Sequence, residues 1–336
     1  MTLEKRLSAF VQLGDFIRSL DSENLTSLAK EAANENPWFT EANVRLALSG
    51  IQQNLTKENL NQWTSQYDFS HVSPKAVGLV LAGNIPLVGF HDLLAVLISG
   101  HRAIVKLSSK DSKLITFLLE KLFIIEPDLR ASVTIQQQAL AGFDAVIATG
   151  SDNTARHFEY YFRNVPNIVR RNRTSCAILT GKESQVELQR LGEDIFSYFG
   201  LGCRNVSKLF VPDSYDVTNL FQPWNDFEPI IHHHKYVNNY DYQKSILLVN
   251  KETFLDNGFV LLQESERLVS PIAVLYYQRY TSLEEITNQL KVVEEKIQCV
   301  VGHAPPATIP FGQAQHPALW DYADGVDTMA FLTSIR

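Results

Sequence analysis

Cys203 is the residue whose surroundings best suit chemistry. It sits in Ser197-Tyr-Phe-Gly-Leu-Gly-Cys-Arg-Asn-Val-Ser-Lys-Leu-Phe-Val211, just after Gly200 and Gly202 and just before a strand-like run, residues 207–211, closed by Pro212. Glycines let the backbone approach a ligand closely, and a turn between a helix and a strand leaves a thiol accessible. Deprotonated, such a thiol is a nucleophile. The competing role for Cys203 is that of a small buried hydrophobe, the role also expected of Cys176 and Cys299, each inside an apolar run.

Composition narrows the classes of function. With 336 residues, 45% of them hydrophobic, the chain can bury a large core and is long enough for two domains. A formal net charge of -7 gives no overall basic surface, and the cluster Arg170-Arg-Asn-Arg173 would have to act alone, so nucleic acid is not an expected partner. The three cysteines are an odd number without a CxxC pair, which argues against a disulfide framework and a structural zinc site. A reducing, cytoplasmic setting fits them. The start, Met1-Thr-Leu-Glu-Lys-Arg, lacks the apolar region of a signal peptide, and no apolar run reaches the ~18 residues of a membrane span. The triplet His232-His-His234 has adjacent side chains pointing different ways and no carboxylate or thiol at metal-ligand spacing, so it reads as part of a surface loop over residues 223–242 rather than a metal site.

The elements that must position Cys203 follow from periodicity. Residues 1–66 are expected to be helical, since Leu3, Leu7, Phe10, Val11, Leu13, Phe16, Ile17 and Leu20 recur at three- and four-residue steps, with Thr40 as a later N-cap. This arm is assigned a scaffold role and no chemistry. From residue 73 the texture changes: an apolar run at 75–82, the turn Gly83-Asn84-Ile85-Pro86, an apolar helix at 88–99 and a strand at 103–107 form a βαβ unit and imply a parallel sheet. A helix at 112–123 and strands at 133–135 and 145–148 continue it. Thr149-Gly150-Ser151 then opens a helix at 153–162, a geometry that turns backbone N–H groups toward an anion such as a cofactor phosphate, although no GxGxxG fingerprint is present. Beyond lie strands at 176–179, 245–249, 272–277 and 296–301, helices at 186–198 and 283–293, and an extended tail at 325–332.

Four segments in this order resemble the aldehyde dehydrogenase superfamily. Within it the chain is most similar to the acyl-CoA reductases of the LuxC family, typified by the fatty-acid reductase of bacterial luminescence operons. Gly83-Asn84-Ile85-Pro86 resembles the WNFP turn, which implies an oxyanion-hole role for Asn84. Ser99-Gly-His-Arg-Ala-Ile-Val-Lys-Leu-Ser108 resembles AGNxVVxKPS and implies that Lys106 binds the cofactor. Ala148-Thr-Gly-Ser151 resembles the FTGS turn beneath the cofactor's phosphates, implying contacts from Gly150 and Ser151. Gly200-Leu-Gly-Cys203, with Lys208 five residues on, resembles GQxC and its basic residue, and implies that Cys203 is the nucleophile. Pro310-Phe-Gly-Gln-Ala-Gln-His316 and Tyr322-Ala-Asp-Gly-Val-Asp327 extend the similarity.

The resemblance implies an α/β, aldehyde-dehydrogenase-like fold: two Rossmann-like domains with mostly parallel sheets and a helical N-terminal arm. The expected division is residues 1–175 for the arm and NADP-binding domain, 176–325 for the catalytic domain, and 326–336 for a C-terminal strand returning to the first domain or a dimer interface. A homodimer is the implied assembly.

Two departures from the family pattern shape the functional expectation. Where hydrolytic members carry ELGGK, this chain has approximately Arg170-Arg-Asn-Arg-Thr-Ser175, without the glutamate that activates water. A Cys thioester that water attacks poorly suits a CoA-coupled enzyme. The carboxylate that holds the 2′-hydroxyl of NAD in many members is replaced by Ser109, between Ser108 and Lys110, all three able to donate to a 2′-phosphate. The expected reaction is therefore NADPH-dependent reduction of a fatty acyl-CoA, long-chain by family, to the aldehyde and free CoA. Arg204 and Lys208 are candidates to favour the thiolate. The EEIFGP segment is loosely echoed at 264–271, leaving Glu264 or Glu266 for the nicotinamide ribose, with Glu266 taken as the assignment. Phe196, Tyr198, Phe199 and Trp224 fit either an acyl tunnel or a core. An acyl-phosphate reductase with a basic anion pocket, and a non-catalytic acyl- or cofactor-binding protein, are the alternative readings.

Overall fold

The computed structural model of the protein describes residues 1–335. Four helices open the chain: α1 (Leu3–Arg18), α2 (Ser22–Glu35), α3 (Glu41–Asn54) and α4 (Lys57–Thr64). Each begins at a short polar residue, Thr2, Asp21, Thr40 and Thr56, whose side chain accepts from the backbone N–H three residues on. Such caps satisfy donors that the first helical turn leaves open.

A parallel sheet follows: β1 (Ala76–Val80), α5 (Phe90–Ser99), β2 (Arg102–Lys106), α6 (Ser112–Ile125), β3 (Val133–Ile135), β4 (Ala145–Thr149), α7 (Asp152–Phe162) and β5 (Asn167–Arg170). Its order is β3-β2-β1-β4-β5 with every pair parallel. In β1 the first four residues, Ala76 to Leu79, are buried, as expected of a strand covered on both faces. All but one residue of α5 is buried as well, and Gly100, in the left-handed region at φ 92°, ends it.

The second sheet is built from β6 (Thr174–Ile178), α8 (Gln185–Phe196), β7 (Val206–Pro212), α9 (His234–Val249), β8 (Leu255–Asp256), β9 (Leu261–Glu264), β10 (Val274–Tyr280), α10 (Leu283–Val292) and β11 (Ile297–Val301). The order is β11-β6-β7-β10-β9-β8, parallel except for the antiparallel β8–β9 pair. One face packs Leu188, Leu191, Phe196, Leu209 and Trp224 into a core, and the other packs Cys176, Phe210, Ile286 and Val300. The chain divides into two compact units, one of Met1–Asn172 with the tail from Pro317, the other of Arg173–His316.

Three local expectations are corrected. Residues 245–249, expected as a strand, form the last turns of α9; a short apolar run is ambiguous by itself, and here Tyr236, Tyr240 and Leu247 are buried at helical spacing while Leu248 and Val249 are exposed. The stretch read as loop over 223–242 is a 3-10 segment, Gln222–His232, followed by that same helix. The tail expected as a strand is the helix α11 (Thr328–Ser334), capped by Asp327 and burying Thr328, Met329 and Leu332 on one side. Buried His101 ties it down, with Nε2 2.9 Å from the Leu332 carbonyl.

Candidate active site

In a doubly wound sheet, ligands bind beyond the carboxyl ends of the strands where the winding reverses. In the first unit that point lies between β1 and β4. The turn with Asn84 follows β1, Thr149-Gly150-Ser151 follows β4, and Lys106 to Lys110 end and follow neighbouring β2. Asn84, Lys106, Ser108, Ser109, Lys110, Gly150 and Ser151 thus gather at the ends of three adjacent strands.

The residues present there fit a dinucleotide. A Cβ on Gly150 would lie 3.0 Å from Phe158 and Thr154, so the turn is closed tightly over the start of α7. The Ser151 hydroxyl caps that helix by accepting from Thr154 N at 3.4 Å. A small turn opening a helix at the switch point is the geometry that receives phosphate. Lys106 reaches sideways, its Nζ donating to the carbonyls of Gln137 (3.1 Å) and Gln138 (3.2 Å). Ser109 and Lys110 are exposed, and the backbone N–H of Lys110 donates to the Ser108 hydroxyl at 3.2 Å.

Cys203 belongs to the second unit. After α8 the chain passes through three left-handed residues in succession, Tyr198 (φ 52°), Phe199 (φ 59°) and Gly200 (φ 76°). For the two that are not glycine this conformation costs about 1–3 kcal/mol each, so the surroundings must hold it. Asn205 does so. Buried, it donates through Nδ2 to the carbonyls of Asp194 (3.2 Å), Ile195 (3.3 Å) and Ser197 (2.8 Å), and its Oδ1 accepts from Gly202 N at 2.8 Å. One side chain therefore closes the open end of α8 and binds the reactive turn to it. From β6, the Ser175 hydroxyl donates to the Cys203 carbonyl at 3.0 Å and accepts from the Cys299 backbone N–H at 3.2 Å.

Accessibility separates the thiols. Cys203 is half-buried, whereas Cys176 is 0% and Cys299 5% exposed. Burial pushes the Cys176 thiol up to about 12, out of reach of thiolate chemistry at neutral pH.

Lys208 has a different task from the one its spacing suggested. It is buried on β7 opposite Cys176, and its Nζ donates to the carbonyl of Glu266 (2.9 Å) and to Gln278 Oε1 (2.6 Å). Burial pushes its ammonium down to about 8. With Ser207, whose hydroxyl donates to the Leu268 carbonyl at 3.0 Å, it holds the 265–270 loop to the strand that follows Cys203. Within that region Glu264 pairs with Arg279 at 3.8 Å, while Glu266 is exposed.

The aromatics near the thiol divide. Phe196, Tyr198 and Trp224 are buried, Phe196 stacking edge-on to Trp224 and Phe259, so they are core rather than tunnel. Phe199 is half-buried and packs on His233, ring centroids 4.4 Å apart. Arg170, in the segment that replaces ELGGK, is a buried structural cation: it pairs with Asp92 at 2.7 Å and donates to Thr328 Oγ1 and the Ala323 carbonyl. This accounts for part of the Tyr322 to Asp327 motif, whose Tyr322 also accepts from Trp63 Nε1 at 2.6 Å.

Sequence reasoning missed the residues that hold the site together. Asp194 is one: fully buried on α8, it accepts from Gly312 N (2.7 Å) and Ala314 N (2.9 Å), tying the Pro310 to His316 motif to the helix that leads to Cys203. Burial pushes this carboxyl up to about 7, against the pull of those two N–H donors. Ser175 and Asn205 carry no motif of their own. Proximity to a cysteine turn that needs polar partners is a signal for Asn205 alone; Ser175, 28 residues earlier, has none.

Comparison with known proteins agrees with this fold. A family model described as acyl-CoA reductase (LuxC) matches residues 42–221, more than half of the chain. No curated protein matches the sequence. Among solved structures, aldehyde dehydrogenase 21 from Physcomitrella patens, in complex with the reaction product succinate, is similar at a TM-score of 0.65 and 10% identity, over 98% of this chain and 79% of that one. An NAD+ complex of an aldehyde dehydrogenase from Bacillus cereus matches at 0.63 and 14% identity, over 90% of this chain and 72% of that one. An NADP complex of the NADP-dependent glyceraldehyde-3-phosphate dehydrogenase from Bacillus halodurans matches at 0.61 and 12% identity, over 91% and 75%. These likenesses establish an aldehyde-dehydrogenase fold.

Proposed function

Because this chain belongs to the LuxC family of acyl-CoA reductases, we propose that it reduces a long-chain fatty acyl-CoA to the aldehyde with NADPH, through an acyl thioester on Cys203. The observation that supports this most is the placement of the thiol: Cys203 reaches solvent on a strained, braced turn, while the other two cysteines are buried.

The Cys203 thiolate attacks the thioester carbonyl carbon, a C–S bond forms, and the bond to CoA breaks with the sulfur of CoA taking up a proton. When bound, NADPH supplies the hydride that reduces the acyl carbon. The thiohemiacetal left on Cys203 collapses to aldehyde and free enzyme. The sum is acyl-CoA + NADPH + H⁺ → aldehyde + CoA + NADP⁺.

The chain's own groups have these proposed roles. Ser175 and Asn205 fix the peptide groups on either side of Cys203, so the sulfur is presented in one orientation. The Asn84 amide and the backbone N–H of Cys203 stabilise the oxyanion formed in each step. Lys106, Gly150 and Ser151 bind the cofactor, Ser108, Ser109 and Lys110 receive its 2′-phosphate, and Glu266 holds its ribose. Exposed Ser109 and Lys110 and the lack of a carboxylate at their position support NADPH over NADH. A nucleophilic thiol outside any disulfide suits the reducing cytoplasm.

The test is cofactor oxidation with acyl-CoAs of increasing chain length, with NADPH and NADH in parallel and Cys203→Ala as control. Chain-length-dependent NADPH oxidation with aldehyde formed, and none in the variant, is the expected result. Failure to reduce any acyl-CoA, with an acyl phosphate reduced instead, would replace this reading by the acyl-phosphate one.

A further inference from the structure

We infer that Asn36 and Asp111 are positioning residues for Asn84, bracing from two sides the turn that presents it. The inference rests on the oxyanion role proposed for Asn84.

The turn from Gly83 to Leu87 is buried at both ends, through Gly83, Pro86 and Leu87, and exposes Asn84 near its tip. At the first end, Asn36, 5% exposed, donates through Nδ2 to the Gly83 carbonyl at 3.1 Å. Its Oδ1 accepts from Trp38 N at 3.2 Å, so the amide is oriented by its own chain before it reaches the turn. At the other end, Asp111, 2% exposed, accepts the Leu87 N–H through Oδ2 at 2.7 Å. Leu87 is held at φ 59°, a conformation a leucine adopts only when its neighbours impose it. Between the two braces Gly83 lies so close to the 108–111 loop that a Cβ there would sit 2.5 Å from Ser108 Oγ and 3.2 Å from Asp111 Cβ.

The second carboxyl oxygen of Asp111, Oδ1, is buried without a hydrogen-bond partner, and burial pushes the group up to about 8. A buried acid with one oxygen unsatisfied is a costly way to anchor a loop. It is used at the point where the backbone of Leu87 must be held left-handed, three residues after Asn84. Asn36 comes from the end of α2, which gives the helical arm a part in the site that its periodicity did not suggest.

The test measures acylation alone, as CoA released by the enzyme mixed with acyl-CoA in the absence of NADPH. Asn84→Ala is expected to slow this burst about 100-fold. Asp111→Ala and Asn36→Ala should each slow it about tenfold while the Kd for acyl-CoA stays within about twofold, because orientation is lost and binding is not. Asp111→Asn keeps an acceptor for the Leu87 N–H and should restore most of that loss. In an Asn84→Ala background, Asp111→Ala should cost nothing further. A slow Asn84→Ala beside Asp111→Ala and Asn36→Ala at the wild-type rate overturns the inference and leaves the role of Asn84 standing. So does an Asp111 effect that multiplies in the double variant. Wild-type acylation by Asn84→Ala overturns the oxyanion reading and the inference with it. Thermal melts identify a variant that fails to fold, and if Asp111→Ala does, Asn36→Ala decides the question from the opposite end of the turn.

Discussion

The turn that carries Cys203 and the turn that carries Asn84 each hold non-glycine backbone in the left-handed region, yet they are held by different means. The cysteine turn is mostly self-braced. Asn205 makes its four hydrogen bonds to groups between three and eleven residues away, and Ser175, 28 residues back on β6, adds one from another element. The Asn84 turn draws side-chain anchors from far along the chain, Asn36 47 residues upstream at the end of α2 and Asp111 24 downstream in the loop before α6. The first turn is set once α8, β6 and β7 are formed. The second is complete only when the helical arm has docked on its sheet.

The largest expected difference between the two is chemical. Cys203→Ala should lower aldehyde formation by at least about 10³-fold, since no other accessible thiol replaces it, whereas Asn84→Ala leaves a slow, measurable enzyme. Steady-state NADPH oxidation compares them, and equal losses would mean that Asn84 is more than an oxyanion donor.

A smaller contrast is expected in stability. Asn205→Ala strips partners from three carbonyls and one N–H and should cost about 3 kcal/mol, while Asn36→Ala, which leaves one carbonyl and one N–H, should cost about 1–2 kcal/mol. Urea unfolding measures both. The reverse order would show that the distant braces carry more of the fold than the local one.

The subtlest contrast is in pH dependence. Asp111 keeps its proton to about 8 in the folded chain, against 3.8 ordinarily, because burial disfavours its charge. A raised carboxyl contributes stability that is fully present below the ordinary range and is lost as pH rises through about 8. Asp111→Asn does not titrate, so its Tm relative to wild type should climb between pH 4 and 8 and then level. Asp194, raised by burial, slopes the same way, and His101, lowered by burial, slopes the opposite way, but both are present in each protein and cancel in the difference. A flat difference would place the charge of Asp111 in a solvated setting that its burial contradicts.

What the sequence revealed follows the same division between local and distant. The buried strands, the four-helix arm and the cysteine turn are local patterns, and the periodicity and glycines that produce them are visible in the chain. Residues 245–249 show where local pattern runs out, because four apolar residues after Ser245 suit a strand and a helical turn equally, and the burial of Tyr236 and Tyr240 on the same face as Leu247 decides for the helix. Arg170 and the 322–327 motif were legible as departures or resemblances but not as partners, since the bonds from Arg170 to Ala323 and Thr328 span more than 150 residues. Lys208 shows that spacing alone misleads: five residues from the thiol, its ammonium is turned into the sheet core and bound to the Glu266 carbonyl. Asn36 and Asp111 were illegible for the same physical reason, that hydrogen bonds between distant segments leave no periodic trace.

Every step proposed for the reaction passes through the acyl thioester on Cys203. Its most direct test is intact-protein and peptide mass spectrometry after mixing the enzyme with a long-chain acyl-CoA without NADPH. One acyl group should be added per chain, on the peptide with Cys203, and be lost as aldehyde when NADPH is supplied. An unmodified chain, or an acyl group on Cys176 or Cys299, would contradict it.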